Sequence, residues 1–150
     1  MPQIYVDADS CPVKEETYRV ALRHRVRVFV VSNSYLPRPL SGDVEMVSVP
    51  GGFDAADDWI AERAGRGDVV VSADIPLAAR CLESGAQVLD PKGRFFTEDS
   101  IGDAVAVREL SSQLRDMGVL SGGPKPFGKQ DRSRFLQSLE QALRRAAKRK

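Results

Sequence analysis

Seven aspartates in this 150-residue chain fall where a carboxylate can do chemistry: Asp7, Asp9, Asp54, Asp57, Asp58, Asp74 and Asp90. Asp7 and Asp9 follow the apolar run Ile4-Tyr5-Val6 in "IYVDADSCPVK". Asp54, Asp57 and Asp58 follow the turn "PGG", Asp74 follows "VVVSA", and Asp90 follows "AQVL". Carboxylates gathered within a few ångströms repel one another, and some take up protons. A hard divalent cation such as Mg²⁺ removes that penalty, because it selects oxygen ligands and keeps several of its waters. Each residue also has a purely structural role open to it. Asp54 can cap a helix with Asp57 in its first turn, Asp74 can cap the helix beginning near Pro76, and Asp90 before Pro91 can start a turn.

The elements needed to gather these acids are legible as apolar runs alternating with helix-like segments. Strands are expected at 4–6, 27–31, 45–49, 68–72 and 86–89. "VRVFVVS" and "VVVSA" are near-continuous β-branched runs, which suit central strands covered on both faces. The segment 12–25 reads as a helix, with Ser10 as its N-cap, Pro12 near its first turn, and Val13, Thr17, Val20 and Ala21 on one face. Helices follow at 54–64, with a stripe of Ala56, Trp59, Ile60 and Ala64, and at 76–84, ended by Gly85. Two longer ones, "SIGDAVAVRELSSQLRDMG" and a basic C-terminal helix at about 131–148, flank the loop "VLSGGPKPFGKQ". This alternation predicts an α/β chain of one domain over 1–150, with a mostly parallel sheet and helices on both faces. In such sheets ligands bind outside the carboxyl ends of the strands, where four of the five expected strands deliver acids.

Spacing narrows the choice of acids. If the chain stays extended, Asp7 and Asp9 point to the same side. Asp54 and Asp58 share a helix face, and Asp57 lies close to it. Either Asp57 or Asp58 can therefore lean towards Asp7.

Composition excludes other chemistries. The hydrophobic fraction of 42% suffices for a core. No apolar run approaches the ~20 residues of a membrane span, so no membrane partner is expected, and nothing resembles a secretory leader. Cys11 and Cys81 lack a CxxC spacing, and a cytoplasmic setting with reduced thiols is expected. His24, in "RHRVR" at a helix end, is the sole histidine, which disfavours Ser/His/Asp or Cys/His catalysis and a zinc site. The net charge is +1, yet residues 125–150 hold 9 Lys and Arg against 2 Asp and Glu. The tail alone has the charge of a polyanion binder.

"VDADSCPVK", "GFDAADDWIAE", "VVVSADIPLAARCLESGAQVLDPKG" and "SGGPKPF" together resemble the YaiI/YqxD family of uncharacterised bacterial proteins, also called UPF0178 or DUF188. The resemblance covers nearly the whole chain. That family is similar to PIN-like domains, whose better-known members are Mg²⁺- or Mn²⁺-dependent nucleases acting mostly on RNA. It implies a PIN-like three-layer α/β/α sandwich and four acidic stations: Asp7 with Asp9; Asp54, Asp57 or Asp58; Asp74; and Asp90. Where the PIN-like pattern carries Glu at the second station, this chain carries Asp.

The resemblance implies a nuclease in which Asp7, Asp74 and one of Asp57 or Asp58 bind Mg²⁺ or Mn²⁺ and RNA is cleaved by in-line attack. Ser10 and Ser72 are candidates to position water or phosphate oxygens. Lys14 is a candidate phosphate ligand at a helix N-terminus. In "SGGPKPFGK", Lys125 offers charge and Phe127 a ring on which a base can stack, or a plug for the core. Arg132, Arg134, Arg144, Arg145, Lys148, Arg149 and Lys150 give the last helix a basic surface that can track phosphates or simply face water. Two rivals remain. One is a module that binds RNA or protein without turnover. The other is a haloacid-dehalogenase-like phosphatase with Asp7 as nucleophile and Asp9 as general acid, although "SCPVK" fits that pattern badly.

Overall fold

The computed structural model describes residues 2–39, 42–51, 54–102 and 127–148. Its strands are β1 (Gln3–Asp7), β2 (Arg27–Ser32), β3 (Val44–Ser48), β4 (Val69–Val71), β5 (Gln87–Leu89) and β6 (Phe95–Phe96). They form one sheet in the order β3-β2-β1-β4-β5-β6, parallel throughout except for β6, which runs antiparallel to β5. The helices are α1 (Lys14–His24), α2 (Ala55–Arg63), α3 (Ile75–Glu83) and α4 (Lys129–Lys148).

Strand alternation divides the core in two. Ile4, Val6, Val28, Val30, Val69, Val71 and Leu89 pack with Val20 and Ala21 of α1 and with Phe135, Leu139 and Leu143 of α4. Tyr5, Val31, Val70 and Val88 pack with Ala56 and Ile60 of α2 and with Leu77, Ala78 and Cys81 of α3. The sheet is thus the middle of three layers, and the β-branched runs have no polar alternation because both faces of each strand are buried.

The expected elements are present with small shifts at their ends. α1 begins at Lys14 rather than at Pro12, and its N-cap position is Val13, because a 3-10 turn at Ala8–Ser10 comes between β1 and the helix. Trp59 belongs only in part to the buried stripe of α2. Its ring lies 6.1 Å from Tyr5 and 5.8 Å from Phe29, and Arg63 covers it at 4.1 Å. Gly85 takes φ +91 after α3, as a C′ glycine does. Most of the expected helix 100–118 falls outside the described residues, although residues 98–102 are helical.

β6 was not expected, since two residues carry no period. It depends on the turn after β5, where Asp90 Oδ1 accepts the Lys92 and Arg94 N–H groups, both at 2.9 Å. Gly93 in that turn has φ +88 and is pressed against α4, where a Cβ would lie 2.7 Å from the Arg134 carbonyl group. Ser138 of α4 donates to the Gly93 carbonyl at 2.6 Å. α4 is joined to α1 as well. Buried Glu16, 7% exposed, accepts from Arg132 at 2.9 Å, and Glu140 meets both Arg23 and His24. Gly93→Ala therefore adds a clash with backbone to an unfavourable φ. Urea denaturation should show a loss of about 2–4 kcal/mol without a changed slope.

Candidate metal centre

β1 lies between β2 and β4, and its last residue is Asp7. Alternation puts the Asp7 side chain on the same face as Tyr5, towards α2 and α3. Ser72, just past β4 and 2% exposed, shares that parity with Val70. Its hydroxyl donates to Asp7 Oδ2 at 2.9 Å and accepts the Asp74 N–H at 3.0 Å. One serine thus joins two acidic stations. Asp74 caps α3, its Oδ1 accepting from the Leu77 N–H at 2.9 Å.

α2 supplies the third carboxylate and separates Asp57 from Asp58. Asp58 turns away to Arg80 of α3, at 2.7 Å. Asp57 is partly buried, and no described residue donates a hydrogen bond to it or forms an ion pair with it. The charges that raise it are those of Asp74, Asp7, Asp54 and Asp58, all carboxylates, and the Arg80 guanidinium also feels its charge. Burial first, and then these carboxylates, push its carboxyl up to about 6. Burial also raises Asp7, aided by Asp74 and Asp9 and opposed by the Ser72 hydrogen bond. Asp7, Asp57 and Asp74 are therefore one electrostatic unit at the carboxyl edge of the sheet.

The other expected acids go elsewhere. Asp9 lies in the 3-10 turn rather than in extended chain, so it does not follow Asp7 onto the same face. Its carboxylate accepts from the Ser32 hydroxyl at 2.7 Å and from the Asn33 N–H at 3.2 Å. Ser32 ends β2 as Ser72 follows β4, and each accepts the N–H two residues on, from Ser34 and Asp74. The two strands beside β1 thus hold its two aspartates by the same device. Asp54 is at the N-cap position of α2, exposed, with no capping bond from its side chain. Asp90 organises the β5–β6 turn.

Among the other expected site residues, Lys14 donates to the Cys11 carbonyl at 3.0 Å and to that of Ala8 at 3.4 Å, securing the turn after β1. Phe127 packs against the core with Arg132 over its ring at 4.9 Å. Lys125, Arg149, Lys150 and the Ser10 side chain lie outside the described residues. On α4, Arg132 pairs with Glu16, while Arg134 and Arg144 stand 3.7 and 3.9 Å from Asp131 and Glu140. Cys11 and Cys81 are buried free thiols, Cys81 pushed up to about 11 by burial. Sequence reasoning missed Ser32, Asn33 and Arg80. The signal for Ser32 was present, since "VVSNS" and "VVSAD" both place a serine directly after a β-branched run.

Among the described residues, no three His, Cys, Asp or Glu side chains are arranged to hold a metal ion directly. The donor chemistry nevertheless fits a hard cation bound largely through its own waters. Mg²⁺ commonly takes only one or two carboxylates and leaves the rest of its shell hydrated. Asp7 Oδ1 and Asp74 Oδ2 accept nothing from described residues, and Asp57 is the half-buried charge without a partner.

A family model described as "Uncharacterized BCR, YaiI/YqxD family" matches residues 5–145. A UPF0178 protein of Bradyrhizobium diazoefficiens is 55% identical, over 99% of this chain and 89% of its own length. One from Rhodospirillum centenum is 56% identical, over 95% of this chain and 96% of its own, and one from a Caulobacter strain is 53% identical, over 97% of each. No solved structure matches the chain.

Because the Asp57 carboxyl rises in the fold from 3.8 to about 6, the folded chain holds a proton there that the unfolded chain has released. Stability should therefore fall as pH rises from about 4 to 6 and stay low above that window. Asp57→Asn removes this dependence, so the variant should gain on the wild type in thermal melts at pH 8 and show little difference at pH 4.5. An equal difference at both pH values would contradict the placement of Asp57.

Proposed function

Because the chain belongs to the uncharacterised YaiI/YqxD family, we propose, from its acidic sheet edge, that it is a PIN-like, Mg²⁺- or Mn²⁺-dependent nuclease cleaving RNA phosphodiesters. The observation that supports this most is the Asp7–Asp57–Asp74 unit, in which burial and mutual repulsion raise two of the carboxyls. A bound cation would relieve the repulsion within such a unit.

A bound Mg²⁺ or Mn²⁺ would lower the pKa of a water and neutralise charge growing on the phosphate. The chain's own residues divide the remaining work. Asp7 and Asp74 offer the cation and its waters the oxygens that Ser72 and Leu77 leave free. Ser72 ties the Asp7 carboxylate to the Asp74 backbone. Asp57, with a carboxyl near 6, is matched to accept the proton of the attacking water near neutral pH. By sequence, Asp58 and Asp57 are both candidates for the third acid. The pairing of Asp58 with Arg80 makes Asp57 the better candidate.

The absence of a ready-made set of three metal-holding side chains among the described residues favours a second reading, a module that binds without turnover. The phosphatase alternative has less support. It needs Asp9 to donate a proton beside Asp7, and both Asp9 oxygens accept hydrogen bonds from Ser32 and Asn33.

Two measurements test the nuclease. Mg²⁺ or Mn²⁺ should raise the melting temperature more at pH 8 than at pH 5, since protons compete for Asp57, and Asp7→Asn should abolish the shift. Purified protein should cleave RNA only with the metal, at a rate that rises through pH 6, and Asp57→Asn should lose about 10²–10⁴-fold and flatten the profile. Binding without metal-dependent cleavage would leave the non-catalytic module. Unchanged cleavage by Asp7→Asn would place the chemistry elsewhere.

A further inference from the structure

The segment 33–39 carries the chain from the carboxyl end of β2 back to the start of β3, as a parallel pair requires. Two of its residues have no structural use among the described residues. Tyr35 is 83% exposed, with no bond to its hydroxyl and no ring packed against its own. Arg38 is exposed without an ion pair or hydrogen bond, held between Pro37 and Pro39. Arg27, which lines the same depression, is engaged with Asp43 at 3.2 Å.

Tyr35 stands over two adjoining depressions. The larger, about 440 Å³, is also lined by Arg27, Arg38, Asp43, Glu45 and Met46, and lies within the ~300–1,000 Å³ range of ligand sites. The smaller is lined by Ser32, Ser34, Met46 and Ser48. Tyr35, Leu36 and Met46 line both, so the two are adjacent. The smaller reaches Ser32, which holds Asp9 at the end of β1. An exposed ring and a guanidinium uncommitted among the described residues therefore line a groove that reaches the carboxyl end of β2, beside Asp9.

We propose that this crossover segment seats single-stranded nucleic acid, with one base stacked on Tyr35 and an adjacent phosphate on Arg38. Every base has a face that stacks on an aromatic ring, and a guanidinium pairs with phosphate. A duplex keeps its bases stacked within itself and cannot use the ring. Glu45 repels phosphate from the β3 edge and so favours the Arg38 side of the groove. On α4, Arg132 is paired with Glu16, Arg134 and Arg144 are beside acids of their own helix, and no exposed aromatic ring accompanies the remaining cations among the described residues. This inference gives the nuclease reading its substrate form and rests on that reading for turnover, though not for binding.

Fluorescence anisotropy with a labelled single-stranded RNA of about twelve nucleotides, in EDTA so that no metal contributes, tests the seat. Tyr35→Ala should weaken binding about tenfold, and Tyr35→Phe should retain it. Arg38→Gln should weaken it and lower the slope of log affinity against log salt by about 0.7. Thermal melts of all three should match the wild type, since both residues are exposed. No binding by the wild type, Tyr35→Ala within about two-fold of it, or equal affinity for a duplex would overturn the proposal. RNA bound through Tyr35 without metal-dependent cleavage keeps the seat and removes the nuclease. Metal-dependent cleavage unaffected by Tyr35→Ala at sub-saturating RNA removes the seat and keeps the nuclease.

Discussion

Like charges brought together in a half-buried place must be held there, and the carboxyl edge of this sheet is built around that requirement. Asp7 ends the central strand, Asp74 starts α3, and Asp57 lies in the first turn of α2. Left to themselves these side chains would swing into water and separate. Ser72 prevents this for two of them, because its hydroxyl donates to one carboxylate and accepts the backbone N–H of the other residue. The third is carried by the packing of Ala56 and Ile60 against the sheet. The repulsion then appears where it cannot be relieved, in the raised carboxyl of Asp57.

The architecture was largely legible in the sequence, because burial on both faces removes polar alternation from a strand. "VRVFVVS" and "VVVSA" announced central strands, and Gly85 announced the end of α3. What was not legible followed from contacts distant along the chain. Whether Asp57 or Asp58 faces the sheet edge is settled by Arg80, which takes Asp58 from 22 residues away. The 3-10 turn that diverts Asp9 depends on Ser32 and Asn33 of a neighbouring strand. β6 exists because Asp90 folds the chain into a turn and α4 closes over Gly93. The bland reading of Asp90 as a turn former matches its hydrogen bonds, and the capping reading of Asp54 finds the position without the bond.

The two faces of the molecule differ in how they use charge. On the α4 side, Arg132, Arg134 and Arg144 meet acids of the same chain, while Arg145 covers the Phe95 ring and the helix keeps more cations than acids. On the β2–β3 side, Arg38 and Tyr35 are left uncommitted among the described residues. Net charge along the sequence points to the tail, whereas the crossover segment pairs an uncommitted cation with an exposed aromatic ring.

The Glu16–Arg132 pair spans 116 residues and joins the first helix to the last. Phe135, Leu139 and Leu143 close the same side of the sheet over Ile4 and Val6. During synthesis from the N-terminus, that apolar face and the Glu16 carboxylate wait without their cover until α4 leaves the ribosome. A nascent chain stalled short of α4 thus presents a sticky, half-covered sheet to the chaperones of its cell.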